Sequence, residues 1–538
     1  MSDTQHDNEH AVERPAALGR RSLLKASMAL AAAAGLAPAT ATWAAAGQGP
    51  AVDTDTLVIG LDKGFVNLNG VVAGTGDSDR YTLQVFDRLY AFDAQGTLQP
   101  SLATAFEIAH DGLSYTYRLR PGVTFHHGGE LSADDVKFTM EFALDPANKS
   151  ARRAFFAPFV ERVEVLGPLT VRFHLSQPDG AFHNKLAGYL PIIPRHYDLA
   201  GNAGAVSALE FFARSPVAAG PYRVVSLSAD GNLLELERYE GYWGAKPAIK
   251  RIVFRAIKDP TNRLNALLAG EIDLVVGVPA QDFSRLKAAA DFTAVANPVA
   301  APLLVRPYTT DPQLPLSEVK VRQALNYALD KNAIIKTVLQ GIGEPLASGI
   351  SRHYPYGFDA TLQPYPYDPA KARELLKAAG FAKGFNTKLL ISSDTPKEVA
   401  EAVAAYWSQV GVIAQIQVVD YATWVSWNDT RRTTPMTVQQ VANAIYDPSH
   451  PVGGLFVKSG AWSDYSHPEV EALFAEAART SDTAGRSALF QRISRILHDD
   501  AAAIFISEIH RVYGRKKRLQ WSPTEGTAAL RLHEARWA

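Results

Sequence analysis

The sequence contains no cysteine among its 538 residues. This absence excludes disulfide bonds, thiolate catalysis, cysteine-ligated zinc and attachment of lipid to an N-terminal cysteine. It also suits an oxidising compartment, where an unpaired thiol is a liability. The composition therefore points away from thiol chemistry and is compatible with an exported protein.

An excess of charge of either sign is also missing, because 54 basic residues face 55 acidic residues and the formal net charge is −1. A nearly neutral chain has no long-range field to attract nucleic acid or an anionic membrane. The short basic run from Arg515 to Arg518 has no interleaved aromatic residues and is interpreted as a solvated edge. We expect no nucleic-acid partner. The length allows two or three domains.

Recognisable catalytic motifs are missing as well. The sequence has no G-x-S-x-G, H-E-x-x-H or G-x-x-x-x-G-K-[ST] pattern. Gly74 and Gly76 hint at a phosphate-binding loop, but the third glycine of the dinucleotide-binding pattern is missing. Ser, His and Asp from distant parts of a chain can still converge in space, so a secreted hydrolase of small peptides or esters remains the alternative to a non-enzymatic protein. We predict no catalytic residue and no cofactor.

The first 46 residues are typical of a cleavable export signal. Arg20 and Arg21 precede a short, alanine-rich apolar run, and small residues follow as far as Ala46. Paired arginines favour the twin-arginine route of bacterial export. The apolar run is short and contains Pro38, which argues against a membrane span. We predict cleavage near residue 46, a periplasmic location and no membrane anchor.

The segment FHHGGELSADDVK, from Phe125 to Lys137, concentrates possible metal ligands. Ser132 stands three residues before Asp135, which is the capping-box pattern of a helix N-terminus. His126 and His127 end a strand-like stretch, where neighbouring side chains point to opposite faces and do not easily share one metal ion. We therefore interpret the segment as architecture and predict no metal site.

Strand patterns dominate the first half of the chain after the signal, and helix patterns the second half. Hairpins are predicted around Gly167-Pro168 and around Asp230-Gly231-Asn232. In the second half, a helix is predicted that is capped by Asp368 and ended at Gly380. This order favours separate α+β units, with the proline-rich stretch 301–315 as the crossing between them.

Aromatic and polar side chains are concentrated in three turn-rich stretches of the second half, where binding loops commonly lie. Burial in a core is the alternative for each of these residues. They are Tyr421, Trp424 and Trp427 in the first stretch, Asn443, Tyr446, Asp447 and His450 in the second, and Trp462 and Tyr465 in the third.

Several segments together resemble the family 5 extracellular solute-binding proteins, the peptide-, nickel- and opine-type receptors of ABC importers. They run in family order from about residue 57 to the C-terminus. They include DRLYAFDAQGTLQPSLATAFEIAHDGLSYTYRLRPGVTFHHGGELSADDVKF, GYWGAKPAIKRIVFRAI, NALLAGEIDLV, VRQALNYALDKNAII and YPYDPAKARELLKAAG. The resemblance implies an α/β fold, the two-lobe periplasmic-binding-protein fold of type II, in its large class with an extra inserted subdomain.

The resemblance also implies the order of the domains and the function. Lobe I would combine residues 47–87, 214–305 and 506–538, with an inserted subdomain at 88–213, and lobe II would span 306–505. A monomeric receptor would capture a small peptide-like or other polar solute by hinge closure and deliver it to the transmembrane subunits of an ABC permease. A periplasmic chaperone, which would bind unfolded chains instead, is a third possibility.

The resemblance further implies that both charge anchors for a free dipeptide are missing. In dipeptide-binding members, an aspartate three residues before a (D/E)-P pair holds the peptide amino group. Here the pair is Asp447-Pro448, and Ala444 takes the place of that aspartate. Leu390 stands at about the place of the arginine that binds the peptide carboxylate. A buried ligand charge without a partner costs on the order of several kcal/mol, so free dipeptides are disfavoured.

Arg306, near the predicted crossing, is a hypothetical replacement for the lost cation. The full set of predicted ligand-binding residues comes from the first loop, the crossing and lobe II, and none of them is predicted to be catalytic. These residues are Asp77, Tyr81, Arg306, Tyr308, Ser392, Trp424, Asn443, Tyr446, Asp447 and Trp462.

Overall fold

The computed structural model describes residues 54–73, 78–196, 208–430, 435–441 and 443–538. The predicted export signal and Asp77 lie outside these residues. None of the helices in the described ranges combines the length and the apolar character that a bilayer crossing requires.

The described part of the chain contains nineteen strands and fifteen α-helices. The strands are β1 Thr56–Leu61, β2 Tyr90–Phe92, β3 Leu98–Pro100, β4 Ala103–Ile108, β5 Ser114–Leu119, β6 Val160–Gly167, β7 Thr170–Leu175, β8 Tyr222–Leu227, β9 Leu233–Arg238, β10 Arg251–Ala256, β11 Leu274–Val276, β12 Phe292–Pro307, β13 Glu344–Pro345, β14 Phe385–Ser392, β15 Val412–Val419, β16 Met436–Gln440, β17 Ile504–Lys516, β18 Leu519–Gln520 and β19 Arg536–Trp537. The helices are α1 Asp79–Val85, α2 Ala133–Leu144, α3 Arg153–Phe156, α4 Phe182–Tyr189, α5 Ala208–Arg214, α6 Pro260–Leu268, α7 Phe283–Ala288, α8 Val319–Tyr327, α9 Lys331–Thr337, α10 Pro369–Ala378, α11 Lys397–Ser408, α12 Tyr421–Asp429, α13 Ser449–Leu455, α14 Pro468–Arg479 and α15 Thr483–Asp499.

Two long antiparallel strands, β12 and β17, form the centre of a mixed sheet with the order β15-β14-β16-β12-β17-β11-β1-β10-β9-β8. Strands β11, β1, β10, β9 and β8 lie on one side of this pair, and we call this half of the sheet the lobe I half. Strands β16, β14 and β15 lie on the other side, and we call that half the lobe II half. The sequence suggested separate units. The structure instead joins the lobes through one sheet, because β12 and β17 are long enough, at 16 and 13 residues, to serve both.

The pairing of β12 with β17 is interrupted between the two lobes. Its register shifts between Pro298 and Pro302, and neither proline can donate a backbone hydrogen bond. Ala300, between them, has a φ of 45°. An interrupted ladder bends more easily than a continuous one, so this position is suited to act as a hinge.

A second sheet with the order β4-β5-β7-β6 and the hairpin β2–β3 lie between β1 and β8 in the chain. The predicted hairpin turns at Gly167-Pro168 and at Asp230 to Asn232 are confirmed. In β5, Tyr115, Tyr117 and Leu119 are buried on one face. These residues share one hydrophobic core with β1 and β10, so the inserted sheet packs directly on lobe I.

The helix caps also follow the sequence pattern. The capping box of α2 is confirmed, since the Ser132 backbone N–H donates to Asp135 Oδ2 at 2.9 Å. Asp368 accepts a hydrogen bond from the Lys371 backbone N–H at the start of α10. His126 accepts from the Ala218 N–H and donates to the Gly220 carbonyl, and burial lowers its pKa to about 4. Its neutral imidazole therefore links two chain segments.

Candidate functional site

A cavity of about 870 Å³ lies between lobe I with its inserted sheet on one side and lobe II on the other. Lobe II contributes α12, β16 and the segment that follows β16. Lobe I contributes α1 and the C-terminal segment around residues 524–533. The inserted part of the chain contributes the residues around β2 and β3 and the residues around 151–155 and 187–189. Because both lobes supply its walls, the cavity changes shape when the lobes move.

One face of α12 forms an aromatic wall of the cavity. Tyr421, Trp424, Val425 and Asn428 line it at the i, i+3, i+4 and i+7 spacing of one helix face. The rings of Tyr421 and Trp424 are stacked with centroids 6.1 Å apart. The Trp424 indole N–H donates to Thr437 Oγ1 at 2.9 Å, which fixes the ring. This wall offers a flat apolar surface to a ligand.

Arg306 lies behind this wall and does not line the cavity. Its guanidinium forms an ion pair with Asp464 at 3.0 Å and donates to Asn428 Oδ1 at 2.6 Å. Asn428 itself faces the cavity. Arg306 therefore positions Asn428, and the hypothesis that it replaces a missing ligand anchor finds no support in its location.

The opposite wall contains a buried charge cluster of Asp79, Arg88 and Arg152. Arg88 and Arg152 both donate to the same oxygen, Asp79 Oδ1, at 3.2 and 3.0 Å. All three side chains are nearly buried and all three line the cavity. Arg88 Nε has no hydrogen-bond partner among the described residues. The cluster carries one more positive than negative group, so it favours an anion in the cavity.

Asp87 stands beside this cluster in the cavity wall. Its carboxylate accepts a hydrogen bond of 2.6 Å from the Trp243 indole N–H. Burial raises the pKa of Asp87 to about 7, even though Trp243, Tyr242 and Arg88 all favour its ionised form. At pH 7 about half of this side chain is uncharged, and more of it at lower pH, so it cancels the positive charge of the cluster only in part.

The segment after β16 joins the two halves of the cavity. Asn184 on α4 donates to the Ile445 carbonyl at 2.9 Å. The Tyr189 hydroxyl lies 3.4 Å from His450 Nδ1, and the Trp462 ring lies 6.5 Å from the His450 ring. The contacts of Asn184 and Tyr189 with this segment cross the cavity and describe a closed arrangement of the lobes.

Tyr446 is held in this segment with a φ of 51°. Its ring packs against Phe92 with centroids 4.8 Å apart, and its hydroxyl donates to the Glu525 carbonyl. Gly96 allows this close approach, because a Cβ at that position would lie 2.5 Å from the Tyr446 ring. Tyr446 therefore contacts lobe I as well as the cavity.

The structure brings four of the predicted ligand-binding residues together in the cavity wall. They are Trp424, Asn443, Tyr446 and Trp462.

Asp447 is buried outside the wall, where both of its oxygens accept hydrogen bonds from Arg486 at 2.8 and 2.9 Å. The Tyr81 hydroxyl donates to the Asn67 carbonyl. Tyr308 and Ser392 also lie away from the lining. Asp447 and Tyr81 therefore have partners within the protein. The sequence did not distinguish them from the residues that line the cavity.

The charge cluster was missed by sequence reasoning, although two signals were present. In YTLQVFDRLY, Asp87 and Arg88 interrupt a largely apolar stretch, and charged residues at such positions are rarely buried without a partner or a function. In SARRAFFAPF, Arg152 precedes two aromatic residues. Tertiary packing brings these segments together. The sequence does not show this, because Asp79 and Arg152 are 73 residues apart.

Comparison with known proteins places the chain in a family. Residues 97–463 match the family model described as bacterial extracellular solute-binding proteins, family 5 middle. The chain belongs to this family. The glutathione-binding protein GsiB of Pectobacterium atrosepticum is 29% identical to this solute-binding protein over 475 residues, which cover 86% of this chain and 90% of the relative. The dipeptide-binding protein of Escherichia coli is 30% identical over 491 residues, which cover 85% and 90%.

The fold of this solute-binding protein also has solved counterparts. The structure of HbpA2 from Haemophilus parasuis superposes with a TM-score of 0.79 at 25% identity and covers 90% of this chain and 100% of that structure. The two-lobe α/β periplasmic-binding-protein fold predicted from the sequence is thereby confirmed.

Proposed function

We propose that this protein is the solute receptor of an ABC importer and that it captures a carboxylate-bearing, peptide-sized anion between its lobes. One observation carries the choice of an anion: Arg88 and Arg152 share the single carboxylate of Asp79 in the cavity wall. A buried site with surplus positive charge gains free energy when an anion completes it. The receptor role is supported by family membership and by a cavity walled from both lobes.

Hinge closure is the proposed mechanism. The solute carboxylate binds the Arg88–Arg152 cluster on the lobe I side, and the remainder of the solute packs on Trp424 and Trp462 of lobe II. A solute that contacts both lobes stabilises the closed arrangement over the open one. The permease recognises the closed form and receives the solute unchanged. Asn443 and Tyr446 complete the proposed binding site.

The lack of a carboxylate at position 444 favours an anion as the solute over a dipeptide with a net charge of zero. Ala444 lines the cavity, and it offers no carboxylate to a peptide amino group. A peptide with a second carboxylate, such as the glutathione that names one of the relatives, satisfies the positive cluster better than a dipeptide with a net charge of zero. Glutathione is therefore the first probe to use.

The location and the partners follow from this role. We infer that the N-terminal segment 1–46 directs export by the twin-arginine route, that the mature receptor is periplasmic, and that it acts as a monomer with the transmembrane subunits of a permease. The proposed domain limits place lobe I at 47–87, 214–305 and 506–538, the inserted subdomain at 88–213 and lobe II at 306–505. The limits at 305/306 and 505/506 fall within β12 and β17, the strands that cross between the lobes.

A ligand panel tests the proposed function. The mature protein is purified without denaturation, co-purified ligand is identified by native mass spectrometry, and calorimetric titrations follow with glutathione, Ala-Ala and Lys-Lys. We expect anionic compounds to bind at least tenfold more tightly than Ala-Ala, and Lys-Lys to bind least. Preference for the cationic peptide would overturn the anion assignment. Turnover of peptides or esters above the blank would favour the hydrolase alternative.

A pH titration tests the role of Asp87. Because its pKa is raised to about 7, Asp87 becomes ionised as the pH rises from 5.5 to 8.0, and its new negative charge repels a bound anion. The affinity for glutathione should therefore fall by about fivefold over this range, which corresponds to about 1 kcal/mol for charges about 4 Å apart in a high dielectric.

The Asp87→Asn variant serves as the control, since asparagine keeps an acceptor for the Trp243 N–H and cannot ionise. Its affinity should vary little over the same range. A pH dependence equal to that of the unsubstituted protein would assign the effect to another group.

A further inference from the structure

A second cluster of polar side chains lies on the face of β17 that points away from the solute cavity. Arg511 lines the cavity, and neighbouring residues of a strand point to opposite faces, so His510 faces the other way. Glu344 of β13 is paired with Glu508 of β17, two residues before His510 and on the same face. His353 approaches the same point, with its ring centroid 6.2 Å from that of His510.

The donor atoms of three of these residues converge. One ligand atom each from Glu344, His353 and His510 lies within 4.8 Å of the other two. Two ligands of a tetrahedral zinc ion lie about 3.3 Å apart, given zinc–nitrogen distances of about 2.0–2.1 Å. Side-chain rotations that move the donor atoms by about 1 Å therefore bring all three onto one ion.

Both imidazoles present an unused nitrogen to this point. The Nε2 atoms of His353 and His510 are buried and have no hydrogen-bond partner among the described residues. The other nitrogen of His353, Nδ1, lies 2.9 Å from Glu525 Oε1 and donates its proton to that carboxylate. A carboxylate bound to Nδ1 leaves the lone pair on Nε2 and raises its basicity, which is the usual arrangement of a metal-binding histidine.

The carboxylate of Glu344 is oriented in a similar way. Its Oε2 atom pairs with Arg352 Nη1 at 3.1 Å, and its Oε1 atom lies 3.9 Å from His510 Nε2. Arg352 therefore holds one oxygen and leaves the other directed at the cluster.

We propose that Glu344, His353 and His510 form a structural site for a divalent transition-metal ion, with zinc as the preferred ion. Two imidazoles and one carboxylate are a donor set that zinc accepts, and the absence of cysteine leaves histidine as its main nitrogen or sulfur ligand in this chain. The inference does not depend on the proposed solute. The ion joins β13 and the segment at residue 353 to β17, a strand that crosses between the lobes, and so stiffens that strand next to the hinge.

Zinc titration of the mature protein tests the site. The protein is stripped with a chelating resin, checked by elemental analysis and titrated with zinc chloride by calorimetry, while thermal unfolding is followed in parallel. We expect one zinc ion per chain and a higher melting temperature in its presence. Uptake of less than one zinc ion per chain at 100 µM free zinc would overturn the proposal.

Variants locate the zinc ion on the chain. His353→Ala/His510→Ala should weaken zinc binding by at least about 100-fold, because it removes two of the three ligands, and Glu525→Gln should weaken it by about 10-fold. His110→Ala/His127→Ala removes two exposed histidines away from the cluster and should bind zinc like the unsubstituted protein. Circular dichroism and thermal unfolding in the absence of zinc establish that each variant is folded. Unchanged zinc affinity in a folded His353→Ala/His510→Ala variant would place the ion elsewhere and reject the site.

Discussion

Replacing Asp447 with alanine is expected to lower the free energy of unfolding by about 3–5 kcal/mol. The Asp447 side chain is fully buried, and the Arg486 side chain that binds both of its oxygens is 3% exposed. Tyr356 also donates to the same carboxylate. Removal of the carboxylate leaves a buried guanidinium without its counter-charge, which costs more than the pair contributes when it is intact. Urea denaturation followed by circular dichroism measures the change.

Two further variants make this prediction specific. Glu374→Ala removes an exposed partner of Lys371 on α10, and its effect should stay within about 0.5 kcal/mol. The double variant Asp447→Leu/Arg486→Met removes both charges and should recover part of the stability lost in Asp447→Ala. If Asp447→Ala unfolded like the unsubstituted protein and yet failed to bind glutathione, Asp447 would have to contact the solute after all.

The case of Asp447 shows what the sequence could not reveal about the site. A carboxylate in an aromatic, turn-rich loop has the same appearance in sequence whether its partner is a ligand or another side chain. The partner of Asp447 is Arg486, 39 residues away, and the partner of Arg306 is Asp464. Only tertiary packing decides between the two possibilities, and at both positions it supplied a protein partner.

Signals between residues close in the chain predicted the helices and turns far better than they predicted the binding-site residues. The capping box of Ser132 and Asp135, the cap at Asp368 and the turn at Gly167-Pro168 depend on residues that are close in the chain, and the structure has all of them. The spacing of Tyr421 and Trp424 likewise predicted that the two rings lie on one face of a helix. Local hydrogen bonds and periodicity are encoded within a few residues, so a single sequence is enough to reveal them.

Local sequence patterns could not predict how the two lobes are joined. The sequence suggested a crossing at 301–315, but β12 begins at Phe292 and its partner β17 begins more than 200 residues later. The pairing of these two strands is a long-range contact, and the resemblance to known proteins, not the periodicity, indicated a two-lobe fold.

Replacing Arg152 with methionine is expected to weaken glutathione binding by at least about 30-fold, the equivalent of about 2 kcal/mol or more. Arg152 donates to Asp79 from Nη2 and lies over the Tyr189 ring at 5.4 Å. Its loss leaves Asp79 paired with Arg88, so the cluster becomes neutral and the bound carboxylate loses its counter-charge. Methionine keeps much of the side-chain volume, which limits the effect on packing.

The matched control is Arg80→Met. Arg80 is as deeply buried as Arg152 and pairs with Asp62 at 2.7 Å, but it does not line the cavity. Both variants should lose stability, whereas only Arg152→Met should lose affinity for glutathione, measured by calorimetry well below the melting temperatures. The loss should be smaller for Ala-Ala, whose net charge is zero. An equal loss for Ala-Ala, or an equal loss in Arg80→Met, would mean that Arg152 maintains the shape of the cavity and does not select an anion.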